Sequence, residues 1–228
     1  MAFADSPTLH PANWVRDIRA QVPRKALRDL LNQLRYGADA PRSDECIYLD
    51  PCDITDSYDR RLTGRALRRN HSGMVLGGDW DTHRSRFAET IKSVSARMHY
   101  EDGLPWEETP LFERMLREVA EGKRPDGCNS REDVEHRYQA LDRIFEETAR
   151  RGRLLTQAEL PDYFRREHGG ILVHIDRNGR PLRASGGMHR LAIAQILKLP
   201  EIPAQLGVVH ADALRKGLLP PLRQQRRG

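Results

Sequence analysis

The chain has 228 residues, a formal net charge of +5 and a hydrophobic fraction of 38%. Its mean hydropathy is −0.71 and its pI about 9.3, which describes a soluble, highly charged protein with room for one sizeable core or a core plus a helical satellite. No window approaches the ~20 apolar residues of a membrane helix, and the first residues, MAFADSPTLHPANW, lack the basic-then-apolar order of a signal peptide.

The excess of positive charge favours anionic partners: nucleotides, phosphorylated metabolites or nucleic acid. Part of it sits in the tail, where Arg223, Arg226 and Arg227 precede Gly228 without a negative residue. Three cysteines, Cys46, Cys52 and Cys128, lack C-x-x-C spacing, which argues against a disulfide framework or a cysteine zinc site. A reducing cytoplasm is the expected location.

In chain order, residues 1–12 read as a loose leader. Pro23 opens a helix in which Leu27, Leu30, Leu31 and Leu34 recur at i, i+3, i+4 and i+7, with Gly37 as its stop. CIYL at 46–49 reads as a short buried strand, and Asp50-Pro51 as an N-cap followed by a first helical position. Residues 57–72 are strongly basic, with Arg60, Arg61, Arg65, Arg68 and Arg69 close together. Gly77-Gly78 marks a tight turn before Asp79-Trp80-Asp81.

The middle is expected to be helical. Phe87, Ile91, Val94 and Met98 share one helix face. Thr109-Pro110 and Ser130 with Asp133 are start signals for two further helices, closed near Gly122 and Gly152. Then ILVHI at 171–175 and RPLRA at 180–184 flank Asn178-Gly179, a hairpin signal. SGGMHR, the helical run LAIAQILKL and a returning strand, IPAQLGVVH, complete the pattern. The expected fold class is mixed α/β. A leading helical segment (1–44) precedes a split sheet core (45–56 and 168–212), which is interrupted by a helical insertion (57–167) and followed by a basic tail (213–228).

The junction at 185–190 carries its own chemistry. A strand runs into Gly186-Gly187 and a helix starts at about Met188. Glycines accept positive φ and let a ligand approach the backbone. The first helical amides have no internal acceptor and, with the helix dipole, form an anion site. His189 and Arg190 in that first turn ask for an anionic partner, which Arg190 can bind bidentately. The other reading is a plain turn with a solvent-facing arginine and a histidine bonded to a carbonyl.

Residues 170–210, in the order hairpin, glycine-rich loop, His-Arg, helix and "IP" strand, resemble the core of the ParB/sulfiredoxin superfamily. IYLDPCDI at 47–54 resembles its first strand and helix start. The resemblance covers about 50 of the 228 residues. It implies that Ser185, Gly186, Gly187, Met188, His189 and Arg190 hold the phosphates of a nucleotide, ATP or ADP, with CTP as the other candidate. Sulfiredoxins carry a cysteine in this loop where Met188 stands, and a thioether cannot become a thiolate, so sulfinic-acid repair is set aside. Partition proteins follow this core with a helix-turn-helix DNA reader, whereas here the chain runs on for only about 18 residues. The remaining expectation is a phosphotransferase similar to the free-serine kinases, acting on a small hydroxylated metabolite. A nucleic-acid-binding protein or nuclease and a non-catalytic interaction module are the competing readings.

Such an enzyme needs a base and Mg2+ near the loop. Asp50 and Asp53 at the end of the first strand are the candidates, Asp53 also as the metal ligand, together with His189 as a catalytic group. Asp50 serves equally well as an N-cap. Asp79, Trp80, Asp81 and Arg84 are candidates for substrate binding, the Trp stacking and the carboxylates binding an amine or magnesium. A half-buried Trp with capping aspartates is the structural alternative. Glu167-His168 and Glu132 to His136 read as surface residues, and the Arg60–Arg69 cluster as a solvated basic face.

Overall fold

The computed structural model describes residues 11–225. Among them the chain forms a mixed α/β fold with eight α-helices and one seven-stranded sheet. The expected leader over residues 1–10, together with Arg226, Arg227 and Gly228, lies outside the described residues.

The strands are β1 (Cys46–Leu49), β2 (Asp56–Tyr58), β3 (Val75–Leu76), β4 (Arg84–Arg86), β5 (Ile171–Ile175), β6 (Pro181–Arg183) and β7 (Ile202–His210). They lie in the order β1-β7-β5-β6-β2-β4, with β3 also pairing β7. β7 runs parallel to β5 and antiparallel to β1, and β5 and β6 form the antiparallel hairpin expected from Asn178-Gly179. Every residue of β5 and β7 is buried, which explains why both read as continuous apolar runs rather than alternating ones.

The helices are α1 (Pro11–Arg19), α2 (Val22–Tyr36), α3 (Arg60–Thr63), α4 (Ile91–Tyr100), α5 (Pro110–Ala120), α6 (Arg131–Arg151), α7 (Met188–Ile196) and α8 (Ala211–Arg215). The expected caps are present: Thr109 accepts from Phe112 N and Ser130 from Asp133 N, and Gly152 ends α6. Each satisfies one amide or carbonyl that the helix end leaves open.

The chain divides into two compact units. One comprises 1–87, 155–187 and 200–228, and holds the sheet; the other comprises 88–154 and α7 with the residues after it to 199. This corrects the expected boundaries. Residues 57–87 belong to the sheet unit, because β2, β3 and β4 supply strands that were too short and too polar to show a period. The tail is corrected too: Leu219 is fully buried, and Arg223 Nε reaches Glu45 Oε1 at 2.6 Å instead of being solvated.

In the sheet unit α2 docks by its polar side. Lys25 and Asn32 are buried, and Arg28 Nη1 donates to the carbonyls of Asn70 and Ser72. The four leucines that predicted the helix face outward, with Leu34 77% exposed. The helical period was read correctly, but the face it buries is the opposite one.

Candidate functional site

The loop after β6 has the backbone that its glycines imply. Gly186 (φ 93°) and Gly187 (φ 69°) lead directly into α7. A Cβ on Gly187 would lie 2.7 Å from Ile171 Cα, and one on Gly186 would lie 2.5 Å from Arg69 Nη2. Both positions are closed to a side chain by sterics as well as by φ. The first turn of α7 holds no acidic residue. Ser185 and Gly186 are exposed, and Gly187, Met188 and Arg190 are half-buried.

Arg69, which sequence reasoning passed over, supports this loop. Arg69 Nη2 donates to the carbonyls of Gly170 (2.7 Å) and Gly169 (3.2 Å), and Nη1 to Gln205 Oε1. Arg69 was grouped with a solvated basic face. Arg60, Arg61, Arg65 and Arg68 are indeed exposed, while Arg69 turns in under the loop. Arg183, two residues before Ser185, donates from Nε to Ser57 Oγ at 2.9 Å. Its Nη1 is buried without a partner, and its guanidinium lies 5.7 Å from the Phe87 ring centroid. Burial pushes its pKa down to about 10. A cation this enclosed is relieved by a nearby anion.

His189 is a correction. Its ring is enclosed in the helical unit, with Tyr138 edge-on at 6.2 Å and both ring nitrogens buried without partners. Burial, aided by Lys92 and Arg137, pulls its pKa down to about 4. The imidazole is therefore neutral near pH 7 and adds no positive charge to the loop. Its place is set by α7 packing beside α4, a contact that no local motif encodes.

Asp50 is engaged as the alternative reading held: its Oδ1 accepts from Cys52 N at 2.8 Å, capping the short 3-10 turn Pro51–Asp53. Asp53 is exposed. Both sit at the same end of the sheet as the glycine loop, since Leu49 pairs Ile202 and Ile171 pairs Ala204. However, β7 and β5 stand between β1 and β6. Gly187 packs on Ile171 at the start of β5, so two strand spacings, about 10 Å, separate β1 from the loop along the sheet end. Asp53 does not fit as a ligand for magnesium on phosphates held there.

The GGDWD segment is structural and lies at the opposite end of the sheet. Trp80 packs in the core with Tyr58, Leu67, Leu182 and Val208. Asp81 is fully buried and grips the β5–β6 turn, accepting from Arg177 N (3.0 Å), Nε (2.9 Å) and Nη2 (2.6 Å). Burial works to raise the Asp81 pKa, but the Arg177 bonds outweigh it and hold it below the ordinary carboxylate value. Asp79 is 80% exposed and bonds Arg177 Nη2. Arg84 Nη2 pairs with the buried Asp176 at 2.9 Å. The four residues expected to bind substrate thus lock a hairpin turn, because buried acids and arginines across a turn neutralise one another.

A third group was missed. Asp44 and Lys25 are both fully buried, and Lys25 Nζ contacts the two Asp44 carboxylate oxygens at 2.8 and 2.9 Å. Gln205 Nε2 donates to Asp44 Oδ1 at 2.7 Å, and His168 Nδ1 lies 3.2 Å from the same oxygen. Burial lowers the Lys25 pKa against the pull of Asp44. It works to raise the Asp44 pKa, which the His168 and Lys25 bonds nonetheless bring below its ordinary value. Glu167 is therefore not a surface residue, being 1% exposed and accepting from Gln157 N, and His168 is half-buried. Lys25, His168 and Arg69 line a cavity of about 370 Å³ together with Arg16, Arg19 and Phe164. No local signal predicted this cluster, because its members come from α2, the loop before β1 and the loop before β5.

No family model matches the chain, and neither a curated protein nor a solved structure does. Among the described residues no helix is long and apolar enough to cross a membrane, and no group of three or more His, Cys, Asp or Glu side chains is placed to hold a metal ion.

Proposed function

We propose that this chain binds the phosphates of a nucleotide at Ser185–Gly187 and the first amides of α7, and uses ATP to phosphorylate a small hydroxylated metabolite. The resemblance of residues 170–210 to the ParB/sulfiredoxin superfamily is part of this reading. The observation that carries it is the pair of positive-φ glycines running directly into α7, whose first turn holds no acidic residue. The first amides of a helix, which lack internal acceptors, attract a group of negative oxygens. Arg190 lies in the first turn of α7, beside the glycines. With Asp50 engaged in capping and Asp53 remote, neither serves as the base, and no step is assigned to a metal at Asp53.

A melting-temperature panel with ATP, ADP, CTP and GTP, with and without magnesium, tests this. At a hundredfold excess over the dissociation constant the bound nucleotide stabilises by about 2.7 kcal/mol. Arg190→Ala removes the shift while circular dichroism stays unchanged. A flat response to all four nucleotides refutes the proposal, and a shift only with DNA or RNA that falls steeply with salt assigns the basic surface to nucleic acid instead.

A further inference from the structure

We infer that the cavity beside Arg69 is the acceptor site of this reaction, that it takes a small anionic alcohol, and that His168 is its proton acceptor, oriented by Asp44. The inference rests on the nucleotide reading of the loop and deepens it.

Charge, shape and position all favour this cavity. Its lining contains Arg16, Arg19, Lys25 and Arg69 and no carboxylate, since Asp44 lies behind Lys25. Arg19 has no ion-pair partner among the described residues, and Asn70 also lines the wall. Arginines suit a ligand that offers an anionic group, and a lining amide suits one that also offers a hydroxyl. About 370 Å³ accommodates a small metabolite. The cavity also shares a wall with the loop. The Arg69 guanidinium that lines it abuts Gly186 and bonds the carbonyls of Gly169 and Gly170, the residues directly after His168.

The imidazole is set up for proton transfer. Lys25 makes the shorter bonds to Asp44, and His168 Nδ1 faces Asp44 Oδ1 at 3.2 Å and, more distantly, Lys25 Nζ at 3.4 Å. With the proton on Nδ1 donated to the carboxylate, Nε2 is left as an acceptor. Nε2 has no partner among the described residues and is not among the buried unpartnered atoms, so it is accessible. An aspartate that fixes the tautomer of a histidine whose other nitrogen meets substrate is a known base arrangement. In the step, Nε2 takes the acceptor hydroxyl proton as that oxygen bonds the γ-phosphorus. The bond to the β,γ-bridging oxygen breaks, ADP leaves with the electron pair, and the imidazolium later returns the proton to solvent.

The test is ADP release by the full chain with ATP and, separately, glycerate, glycerol 3-phosphate or neutral glycerol. The anionic alcohols are expected to stimulate turnover at least about tenfold over glycerol, since charged hydrogen bonds distinguish them. A response to only one of them identifies the anionic group. His168→Asn, which keeps a donor to Asp44 but no Nε2, lowers kcat about 10²–10⁴-fold and leaves the ATP-induced melting shift intact. Arg19→Gln raises KM for the acceptor and leaves kcat. Equal response to glycerol and the anions, no stimulation at all, or full turnover by His168→Asn overturns the inference while the ATP shift stands. An absent ATP shift in the parent chain defeats the loop reading itself.

A separate observation carries a second inference: the structure assigns the outward leucines of α2 to a second copy of this chain. Leu27, Leu30, Leu31 and Leu34 are 58%, 55%, 56% and 77% exposed, while the polar side of the same helix is buried. The stripe is symmetric about the Leu30–Leu31 bond. An antiparallel copy therefore sets leucine on leucine at all four positions, as a two-fold interface requires. In that register Arg24 meets Gly37 and Arg35 meets Ala26, so neither arginine opposes another. Sedimentation or light scattering at micromolar concentration is expected to give a dimer, and Leu30→Glu with Leu31→Glu a folded monomer. A monomeric parent chain overturns the assignment, and a monomer that pellets with anionic vesicles gives the stripe to a lipid surface instead.

Discussion

Asp44→Asn is expected to destabilise the chain by about 3–5 kcal/mol, the range for removing one partner of a buried ion pair. The Asp44 carboxylate receives Lys25 twice, Gln205 and His168, and Arg165 Nε approaches its Oδ2 at 3.5 Å. An amide in its place strands a fully buried ammonium. Denaturant midpoints at unchanged slope measure the loss. Adding Lys25→Met removes the stranded charge, and the double variant is expected to recover most of the stability, because neighbouring substitutions in one network do not add. Turnover separates the two roles of this carboxylate. If Asp44 orients His168, kcat stays low in the recovered double variant; if Asp44 only neutralises Lys25, kcat returns with the fold. A loss below about 1 kcal/mol in Asp44→Asn, the scale of an exposed pair, would contradict the burial of this group.

Acidification is the second large effect. The His174 pKa is brought down to about 3 and that of His189 to about 4, in both cases chiefly by burial. His174 is fully buried against Tyr58 and Trp80, with Nδ1 accepting from Val208 N. The ordinary value is 6.5. Above it both states hold neutral rings and the histidines contribute nothing to the pH dependence. Below it the unfolded chain binds protons that the folded chain refuses, so stability falls. The slope approaches about 1.4 kcal/mol per pH unit for each ring until the folded values are reached. Carboxylates with an ordinary value of 3.8, such as Asp44 and Asp81, add their losses only at lower pH. Melting temperatures across pH 7 to 4 are therefore expected to drop from about pH 6. His189→Leu is expected to remove about half of that slope and to raise stability at low pH, since neither ring nitrogen has a partner to lose. A flat profile between pH 6.5 and 5 would mean that the rings are solvated.

Much of the fold was legible along the chain. Helix starts at Thr109 and Ser130, the hairpin at Asn178-Gly179 and the glycine junction at 186–187 are local events, set by φ preferences and by side chains that satisfy nearby amides. The continuous apolar runs of β5 and β7 likewise announced strands buried on both faces. These signals need only a few neighbouring residues, so the sequence by itself determined them.

What each polar side chain does was decided only by tertiary structure. Asp81 and Trp80 looked like ligand-binding groups until Arg177, 96 positions away from Asp81, was found to neutralise the acid at the far end of the sheet. His189 looked like a cation beside a phosphate until the packing of α7 on α4 dried its ring. Lys25, Asp44 and His168 carry no pattern, yet folding gathers them within one hydrogen-bonded cluster between segments up to 143 positions apart. The α2 leucines gave the helical period but not the buried face, because which side docks depends on the carbonyls of Asn70 and Ser72 waiting opposite. Pairing a buried charge is a long-range, three-dimensional requirement, and it settles which of the chain's many acids and arginines remain available to a ligand.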